Sequence, residues 1–338
     1  MTVMVTGGAG YIGSHMVLAL LDRGERVVVL DDLSTGFASA VPDGVDLVVG
    51  DMGDPDLVGR AMADQKVEAL AHFAARIVVP ESVADPLGYY LNNTAKSRTL
   101  IETAIRSGVR QMIFSSTAAV YGETSSEPVG EDVAPAPVSP YGRSKLMTEW
   151  MLADAAVAHD LRYVALRYFN VAGADPAGRS GQSTPAATHL IKVAAQAALG
   201  QRPRLEVFGT DYPTHDGSCL RDYIHVSDLA DAHLVALDHL RGGGASLTLN
   251  CGYGRGYSVL EVIEVVKRVS GVDFPVTLSP RRPGDPPAIV ARAERIRSEL
   301  GWCPSRDDLE GIVRGALAWE RHLAGGEESR RNEAMAAS

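Results

Sequence analysis

The most restrictive feature of the sequence is the glycine-rich segment VTGGAGYIGSH near its start. Gly8, Gly10 and Gly13 have the G-x-G-x-x-G spacing, and Gly7 precedes them. The segment follows an apolar run and opens an amphipathic stretch, so it connects a predicted strand to a predicted helix. In that context glycines let the backbone approach a pyrophosphate, and the helix N-terminus supplies free N–H groups. The segment therefore predicts a dinucleotide-binding loop.

An acidic residue follows the loop at the distance that this fingerprint requires. Asp31 ends the second apolar run, RVVVLDD, and Asp32 is next to it. A carboxylate at this place accepts hydrogen bonds from the ribose hydroxyls of NAD, whereas it repels the 2′-phosphate of NADP. We therefore expect NAD as the cofactor.

Short apolar runs alternate with helical stretches through the first half of the chain. The runs are TVMVTG, RVVVLDD, VDLVVGD, VEALAHFAA, RQMIFSS and RYVALRYFN, and the amphipathic stretches are residues 11–23, 54–64, 86–107 and 140–159. This alternation is typical of βαβ units and of a parallel sheet that is covered on both faces. The predicted fold class is α/β, a Rossmann doubly wound parallel sheet with a smaller α/β substrate-binding lobe.

The alternation stops after Asn170, which suggests where the domains divide. We predict an NAD-binding domain over residues 1–170, to which residues 222–252 return. Residues 171–221 and 253–324 would form the smaller lobe that binds substrate. The end of the chain, residues 325–338, is polar and is predicted to be disordered.

Charge and composition exclude several classes of function. The net charge of −10 and the pI of about 5.4 argue against binding to nucleic acid or to an anionic membrane. We find neither a signal-peptide pattern nor an apolar run of about 18 residues. The three cysteines are scattered without a CxxC pair, so we predict no metal site and expect a reducing, cytoplasmic location.

The segment SPYGRSK predicts an acid–base pair. Tyr141 and Lys145 lie one helical turn apart, so their side chains share a helix face. A tyrosine with its ordinary pKa of about 10 is a poor base at neutral pH, but nearby positive charge favours the phenolate. We expect Lys145 and the positive nicotinamide of NAD together to lower the pKa of Tyr141. In IFSST, Ser115, Ser116 and Thr117 end a predicted strand, where sites of open α/β sheets form and a hydroxyl would hold a substrate oxygen.

Together these motifs resemble the extended short-chain dehydrogenase/reductase family. Within it, the sequence resembles the UDP-glucose 4-epimerases over nearly its whole length, the tail excepted. The segment FGTDYPTHDGSCLRDYIHV is the most discriminating, because NAD-binding folds in general lack it. The other resembling segments are TGGAGYIGSH, HFAA, SSTAAVYG, SPYGRSK, RYFNVAGA and RRPGDPPA.

The resemblance implies NAD-dependent 4-epimerisation of a UDP-hexose, UDP-galactose to UDP-glucose, through a 4-keto intermediate. Tyr141 would take the proton from the 4-hydroxyl while C4 passes hydride to NAD. Lys145 would tune Tyr141 and bind the nicotinamide ribose, and Thr117 would contact O4. The sequence is compatible both with direct proton transfer to Tyr141 and with a relay through the Thr117 hydroxyl.

The resemblance also assigns residues to the two ligands. The NAD set is Gly7, Gly10, Tyr11, Ile12, Gly13, Asp31, Asp51, Met52, Phe73, Ala74, Ala75, Asn92, Ser115, Tyr141, Lys145 and Tyr168. The UDP-sugar set is Thr117, Tyr141, Asn170, His189, Leu190, Phe208, Arg221, Tyr223, Arg282, Asp285 and Ile289. Arg281 is an alternative to Arg282 as the phosphate ligand.

The sequence departs from the family pattern at two places. Ile77 occupies the place where some members have a lysine that reaches the cofactor phosphates, so either Arg76 substitutes for it or NAD is held less tightly. Ile289 is smaller than the tyrosine of members that are restricted to unacetylated sugars. We therefore expect UDP-GlcNAc and UDP-GalNAc to be accepted as well.

Three other functions remain open alternatives. A UDP-pentose or UDP-hexuronate 4-epimerase would use the same chemistry on a different sugar. A nucleotide-sugar 4,6-dehydratase would carry Asp-Glu after the strand-end threonine, where this chain has Ala118 and Ala119. A non-catalytic NAD-binding regulator is the third, although Tyr141, Lys145 and Thr117 are all present.

By the resemblance we also expect a homodimer that pairs through the helices at 86–107 and 140–159.

Overall fold

The computed structural model describes residues 1–124, 128–184, 187–282 and 285–336, with side chains described up to residue 326. Within these residues, seven parallel strands form the central sheet in the order β10-β6-β5-β4-β1-β2-β3. They are β1 (Thr2–Thr6), β2 (Arg26–Asp31), β3 (Asp46–Val49), β4 (Val67–His72), β5 (Gln111–Thr117), β6 (Arg162–Tyr168) and β10 (Leu247–Cys251). The predicted fold class is confirmed.

Helices cover both faces of this sheet, which explains why its strands are apolar throughout. Along β1, Val3 and Val5 join the core on the face of the first helix, and Met4 joins the core on the opposite face. Successive side chains of a strand point to opposite faces, so a strand buried on both sides shows no polar alternation. The helices are α1 (Tyr11–Asp22), α2 (Pro55–Asp64), α3 (Val79–Ala84), α4 (Pro86–Tyr89), α5 (Lys96–Arg106), α6 (Pro140–Ala158) and α8 (Val226–Arg241).

The stretch predicted as one helix over 86–107 is interrupted by a widened segment. A π-helix, Tyr90–Ala95, joins α4 to α5 without a break in the helical backbone. Such π segments occur frequently at functional sites.

The smaller lobe contains two small sheets and a layer of helices. One sheet contains β7 (Asn170–Ala172), β9 (Leu220–His225), β11 (Gly256–Ser258) and β13 (Ala288–Ile289), and the other pairs β8 (Leu205–Phe208) with β12 (Val276–Ser279). The remaining helices are α7 (Leu190–Ala198), α9 (Val259–Ser270), α10 (Glu294–Leu300) and α11 (Leu309–Ala336). Side chains from α7, α9 and α11 form a separate core there.

The boundaries differ from the predicted ones in two places. Strand β9 pairs with β7, β11 and β13, so the chain rejoins the large sheet with α8 at Val226 rather than at residue 222. Helix α11 continues through Ala336, whereas the sequence predicts a disordered tail from residue 325. The tail contains Glu, Arg, Ala and Met, which favour helix, and it lacks proline. No helix in the described part of the chain has both the length and the hydropathy of a membrane span.

Candidate active site

The glycines of the loop allow a close backbone approach, because a larger residue at Gly7 or Gly13 would clash with neighbouring backbone atoms. A Cβ atom on Gly13 would lie 2.1 Å from the carbonyl oxygen of Gly7, and one on Gly7 would lie 2.6 Å from the backbone nitrogen of Ala74. Gly7 also has φ of 71°, which favours glycine. Gly10 is the N-cap of α1 and has no side chain to occupy the first N–H groups, among them those of Tyr11 and Ile12. These N–H groups and the helix dipole can bind an anion.

Asp31 braces this loop from the end of β2. Its Oδ2 accepts the N–H of Ala9 at 3.0 Å, and its Oδ1 accepts the N–H of Leu33 at 2.9 Å. Burial raises the pKa of Asp31, and the two backbone hydrogen bonds lower it. Each carboxylate oxygen has a second lone pair. Asp31 can therefore accept a ribose hydroxyl while it holds the loop.

The end of β4 lies directly against the glycine loop. The N–H groups of Phe73 and Ala74 both donate to the carbonyl oxygen of Thr6, at 3.0 and 3.1 Å. This brings Phe73 and Ala74 beside the loop and leaves the half-buried Ala75 immediately after them. The structure thus brings together the residues that the sequence places on either side of the cofactor cleft.

The π-helix carries the predicted NAD residue Asn92 and, next to it, Asn93, which the sequence analysis did not single out. Asn92, predicted to contact NAD, donates to Oδ1 of the buried Asn93 at 3.1 Å. The same oxygen accepts the N–H of Arg76 at 2.9 Å, and Nδ2 of Asn93 donates to the Ser144 hydroxyl at 3.2 Å. Asn93 therefore connects the loop after β4 to α6. Its only sequence signal was its place beside Asn92.

Asp51 and Met52 have protein partners at the end of β3. Asp51 forms an ion pair with Lys96 at 2.6 Å and accepts the N–H of Gly53 at 2.8 Å. Burial alone would raise the pKa of Asp51, but these two contacts bring it below its usual value. Met52 is buried in the core next to α5. Their contact with adenine stays a prediction.

Arg76 does not face the cofactor cleft in the way that a substitute for the loop lysine would. Its guanidinium forms ion pairs with Glu81 at 2.5 Å and with Asp85 at 2.9 Å. It also stacks on the ring of Tyr89, 4.7 Å from the centroid. These contacts turn Arg76 toward α3 and α4, and the adjacent Ile77 is 51% exposed. These contacts argue against Arg76 as a substitute for the loop lysine, and the other alternative, that NAD is held less tightly, stays a prediction.

The start of α6 brings the predicted acid–base group to the end of β5. The hydroxyl of Ser139 caps the helix by accepting the N–H of Gly142 at 3.1 Å, and Pro140 occupies the first turn. A Cβ atom on Gly142 would lie 2.5 Å from the carbonyl oxygen of Ala119, so only glycine permits this close approach. Tyr141 is thereby held against the strand end.

The three predicted catalytic residues meet there. Oγ1 of Thr117 accepts the N–H of Ala119 at 3.1 Å, and the Thr117 side chain lies close enough to Tyr141 to affect its pKa. Because that oxygen already accepts from Ala119, its own proton is available to the Tyr141 oxygen. Nζ of Lys145 donates to the carbonyl oxygen of Ser115 at 2.8 Å.

The protein alone does not make Tyr141 basic. Burial raises the pKa of Tyr141, and the nearby Thr117 side chain opposes this effect. Burial lowers the pKa of Lys145 to about 7, against the opposing effect of Glu149. The lowered tyrosine pKa expected from the sequence therefore depends on the positive charge that oxidised nicotinamide adds.

Tyr168 is oriented by a histidine that sequence reasoning did not assign. The Tyr168 hydroxyl donates to Nε2 of His233, and Nδ1 of His233 donates to the carbonyl oxygen of Leu229 at 2.7 Å. Burial raises the pKa of Tyr168, and the nearby Ser115 side chain opposes this effect. The His233 ring packs 4.8 Å from that of Phe73, so it contacts two predicted NAD residues. In the sequence, His233 is only a histidine on the apolar face of a predicted helix, and it lies far along the chain from every motif.

The smaller lobe divides the predicted UDP-sugar residues into two groups. Asn170, His189, Leu190 and Tyr223 line one cavity, together with Tyr11 of the glycine loop. Nδ1 of His189 is buried without a hydrogen-bond partner among the described residues, as expected of an atom that contacts a ligand.

The second group contains the predicted phosphate and ribose ligands. Arg221 lies two residues before Tyr223 on β9, so their side chains share a face, and it pairs with Asp285 at 3.6 Å. Ile289 is the β-sheet partner of Arg221. The guanidinium of Arg282 stacks 3.7 Å from the centroid of Phe208.

Arg281 and Arg282, the two arginines that the sequence left open as the phosphate ligand, have different protein contacts. Nε of Arg281 donates to Asp211 at 2.7 Å, and the guanidinium stacks on Tyr212. Arg281 is thus held by a carboxylate outside the predicted set, whereas Arg282 stacks on a residue within it. The role of Arg282 as the phosphate ligand stays a prediction, and it is compatible with these contacts.

The fold and this site define the class of protein, and comparison with known proteins agrees. The chain belongs to the NAD dependent epimerase/dehydratase family, whose profile matches residues 3–252. The resemblance inferred from the sequence is confirmed. The chain is 62% identical over 321 residues to the UDP-glucose 4-epimerase of Azospirillum brasilense, covering 95% of this chain and 92% of that protein.

Two solved structures resemble the chain over nearly their whole length. The UDP-glucose 4-epimerase of Brucella ovis in complex with NAD is 46% identical, with a TM-score of 0.91 and coverage of 94% of this chain and 97% of that one. The UDP-Glc/GlcNAc 4-epimerase of Campylobacter jejuni is 48% identical, with a TM-score of 0.83 and coverage of 95% and 99%.

Proposed function

We propose that this protein is an NAD-dependent UDP-glucose 4-epimerase that converts UDP-galactose to UDP-glucose. The observation that carries the proposal is the meeting of Tyr141, Thr117 and Lys145 at the end of β5, in the same sheet whose β1 leads into the NAD loop. Relatives that are 62% and 46% identical are UDP-glucose 4-epimerases.

The chain's own residues account for binding and for proton movement. The loop between Gly7 and Gly13 would hold the pyrophosphate of NAD, and Asp31 its ribose. Bound NAD would supply the hydride acceptor for sugar C4 and the means to return that hydride to the opposite face of the sugar. The oxygen of Tyr141 takes the proton of the 4-hydroxyl and later gives it back. The hydroxyl of Thr117 stabilises the phenolate by donating to it, and the cation of Lys145 adds to that stabilisation.

The smaller lobe would tether the nucleotide while the sugar turns. Arg221 and Arg282 supply two guanidinium groups for the diphosphate, and Asp285 supplies a carboxylate for ribose hydroxyls. Because all of these groups grip the UDP portion, the 4-keto sugar is free to present its other face without leaving the site.

We extend the proposed substrates to UDP-GlcNAc and UDP-GalNAc because of Ile289. This side chain lies beside Arg221, in the strand that borders the UDP site, and leaves more room than a tyrosine would. The Campylobacter jejuni relative is a UDP-Glc/GlcNAc 4-epimerase. A kcat/KM for UDP-GlcNAc that is negligible beside that for UDP-galactose would reject this extension.

The alternative 4,6-dehydratase reaction lacks its acid–base groups here. The two residues after Thr117, Ala118 and Ala119, begin a 3₁₀ turn that ends at Val120, and methyl side chains transfer no protons. A UDP-pentose or UDP-hexuronate 4-epimerase uses the same residues as the leading proposal, so assays with those sugars separate the two.

We also propose a homodimer in the cytoplasm. Large apolar side chains are exposed on the two helical stretches expected to pair: Leu87 (77%) and Leu91 (60%) on the first, and Trp150 (58%) and Val157 (92%) on α6. A second copy would cover them in a four-helix bundle. The cysteines are free thiols, which suits a reducing compartment. Light scattering that gives the mass of a single chain would contradict the dimer.

An assay without added cofactor tests the main proposal. Purified protein should convert UDP-galactose to UDP-glucose, and its NAD should remain bound through gel filtration. In deuterated water, C4 of the product should gain no label, because the same hydride leaves and returns. Absence of conversion, or substantial deuterium at C4, would reject the proposed function.

A further inference from the structure

A second buried charge lies one helical turn after Lys145. Glu149 of α6 is 4% exposed, and it pairs with Arg167 of β6, which is 6% exposed. The pair is bidentate: Nε of Arg167 lies 3.0 Å from Oε1 of Glu149, and Nη2 lies 2.7 Å from Oε2. The hydroxyl of Ser116 also donates to Oε1. Both carboxylate oxygens are therefore satisfied inside the protein.

These contacts attach α6 to the strand end on which the proposed chemistry depends. Ser116 lies between Ser115, whose carbonyl oxygen accepts from Lys145, and Thr117, which contacts Tyr141. Ser116 is also the β-sheet partner of Arg167, so the two side chains lie on one face of the sheet, toward α6. A single carboxylate thus joins the helix that carries Tyr141 and Lys145 to strands β5 and β6.

Glu149 is also the negative charge that acts on Lys145. Around the ammonium group lie the Phe114 ring, 4.9 Å from Nζ, the Ser115 carbonyl and, on β4, His72. The pKa of His72 is lowered to about 3 by burial and by Lys145, so this imidazole is neutral at physiological pH. Tyr141, on the same helix, is neutral in the resting state because burial raises its pKa.

We propose that Glu149 is a positioning residue for the reaction: its pair with Arg167 and its bond with Ser116 fix α6, which carries Tyr141 and Lys145, at the strand end, and its carboxylate favours the charged form of Lys145. The inference rests on the proposed function, because it assigns Glu149 a role through Lys145 and Tyr141 rather than through contact with the sugar.

The direction of the expected effect follows from the charges. Burial lowers the pKa of Lys145 to about 7, and Glu149 raises it. In Glu149→Gln the raising effect is lost and Arg167 remains without its partner, so the Lys145 pKa should fall further. Lys145 would then lose its proton at lower pH, and the decline of kcat on the alkaline side should move to lower pH by the same amount.

The pKa of Lys145 can be measured directly by NMR, because the chain contains only five lysines. With ¹³C at the lysine ε-carbon, NMR should give five signals, and the one absent from Lys145→Arg belongs to Lys145. In Glu149→Gln the titration midpoint of that signal should fall by about one pH unit. An unchanged midpoint in a folded variant would overturn the proposal.

A second buried ion pair supplies the matched control. Lys192 and Glu320 are each 5% exposed and are paired with each other in the smaller lobe. In Glu320→Gln the Lys192 signal should shift while the Lys145 signal stays in place. If Glu320→Gln moved the Lys145 midpoint as much as Glu149→Gln does, the effect would not be specific and the proposal would be rejected.

The double variant Glu149→Gln, Arg167→Gln covers the case in which the single variant does not fold. It leaves two amides that can hydrogen-bond and no unpaired buried charge. The Lys145 midpoint should still fall in it, by less than in Glu149→Gln because the positive charge of Arg167 is removed as well, and an unchanged midpoint would contradict the proposal. The NMR titration does not depend on turnover, so failure of this inference is distinguishable from failure of the proposed function. The Lys145 midpoint can stay unchanged in a protein that epimerises UDP-galactose, and it can fall in a protein that does not.

Discussion

The large sheet and the smaller lobe fix their polar side chains in different ways. At the carboxyl ends of the strands of the large sheet, Thr117 is positioned by the end of β5 and Tyr141 by the first turn of α6. In the large-sheet region the buried carboxylate of Glu149 joins a helix to two strands, whereas in the smaller lobe a buried carboxylate holds loop segments to a strand. Asp222, fully buried, accepts the N–H groups of Tyr253 at 3.0 Å, Gly254 at 2.8 Å and Ala291 at 3.2 Å.

This difference separates the tasks that the two regions can perform. Hydride and proton transfer need atoms placed within a few tenths of an ångström, which regular backbone supplies. Gripping a flexible nucleotide needs charges on several segments, which hydrogen-bonded loops can present. Substitutions at the carboxyl ends of the large-sheet strands should therefore alter turnover, and substitutions in the smaller lobe should alter substrate affinity or stability.

Tyr141→Phe should have the largest effect. It removes the phenol oxygen and leaves the ring, so kcat for UDP-galactose should fall about a thousandfold, as expected when a general acid–base group is lost. Steady-state assays would measure kcat, and the absorbance of bound NAD would measure the cofactor content. NAD content and melting temperature should stay as in the unchanged protein. Full turnover in this variant would remove Tyr141 from the proposed mechanism.

Thr117→Val should have a smaller effect at the same strand ends. It preserves the shape of the side chain but removes the hydroxyl that is proposed to donate a hydrogen bond to the Tyr141 phenolate. Such a bond to a charged group contributes about 2 kcal/mol, so kcat should fall about thirtyfold. Thr117→Ser, which keeps the hydroxyl, should recover most of the rate.

The same variant separates direct proton transfer from a relay. If Tyr141 takes the proton itself, Thr117→Val should remain well above Tyr141→Phe in kcat. If the proton passes through the Thr117 hydroxyl, the two variants should be equally slow.

The contrast between the two regions also explains what the sequence could predict. The large sheet was predictable because each element leaves a local signal: Gly13 one helical turn into α1, Asp31 at the end of β2, Lys145 one turn after Tyr141. Glu149 and His233 were not predictable in this way. Their roles depend on Arg167 and Tyr168, which are brought to them by the folded sheet rather than by sequence spacing.

In the smaller lobe the sequence indicated residues but not their arrangement. The family segments pointed to Arg221 and Asp285, whose 3.6 Å contact joins parts of the chain that no periodicity relates. Arg281 differs from Arg282 in its contact with Asp211, a partner in another loop. Likewise, β9 was predicted to return to the large sheet, because its apolar pattern alone does not tell which sheet it joins.

Arg282→Ala tests whether the lobe acts on affinity. Loss of one charge-assisted contact with the diphosphate should raise KM for UDP-galactose about tenfold, with a much smaller change in kcat. Arg281→Ala is the matched control, since its guanidinium is paired with Asp211, and its KM should change little. A larger KM change in Arg281→Ala than in Arg282→Ala would reverse the assignment of the phosphate ligand.

Ser258→Ala should have the smallest effect, on stability. Ser258 caps α9: its hydroxyl accepts the N–H of Glu261 at 3.0 Å, the Glu261 carboxylate accepts the N–H of Ser258 at 2.7 Å, and the hydroxyl donates to Asp216. Loss of such a cap lowers the free energy of unfolding by about 1 kcal/mol, measurable by urea denaturation. Ser270→Ala, at the other end of the same helix, should cost less. Because Ser258 holds the lobe together without contacting the proposed ligands, kcat should be unchanged, and a fall in kcat would show that the lobe also positions the reacting sugar.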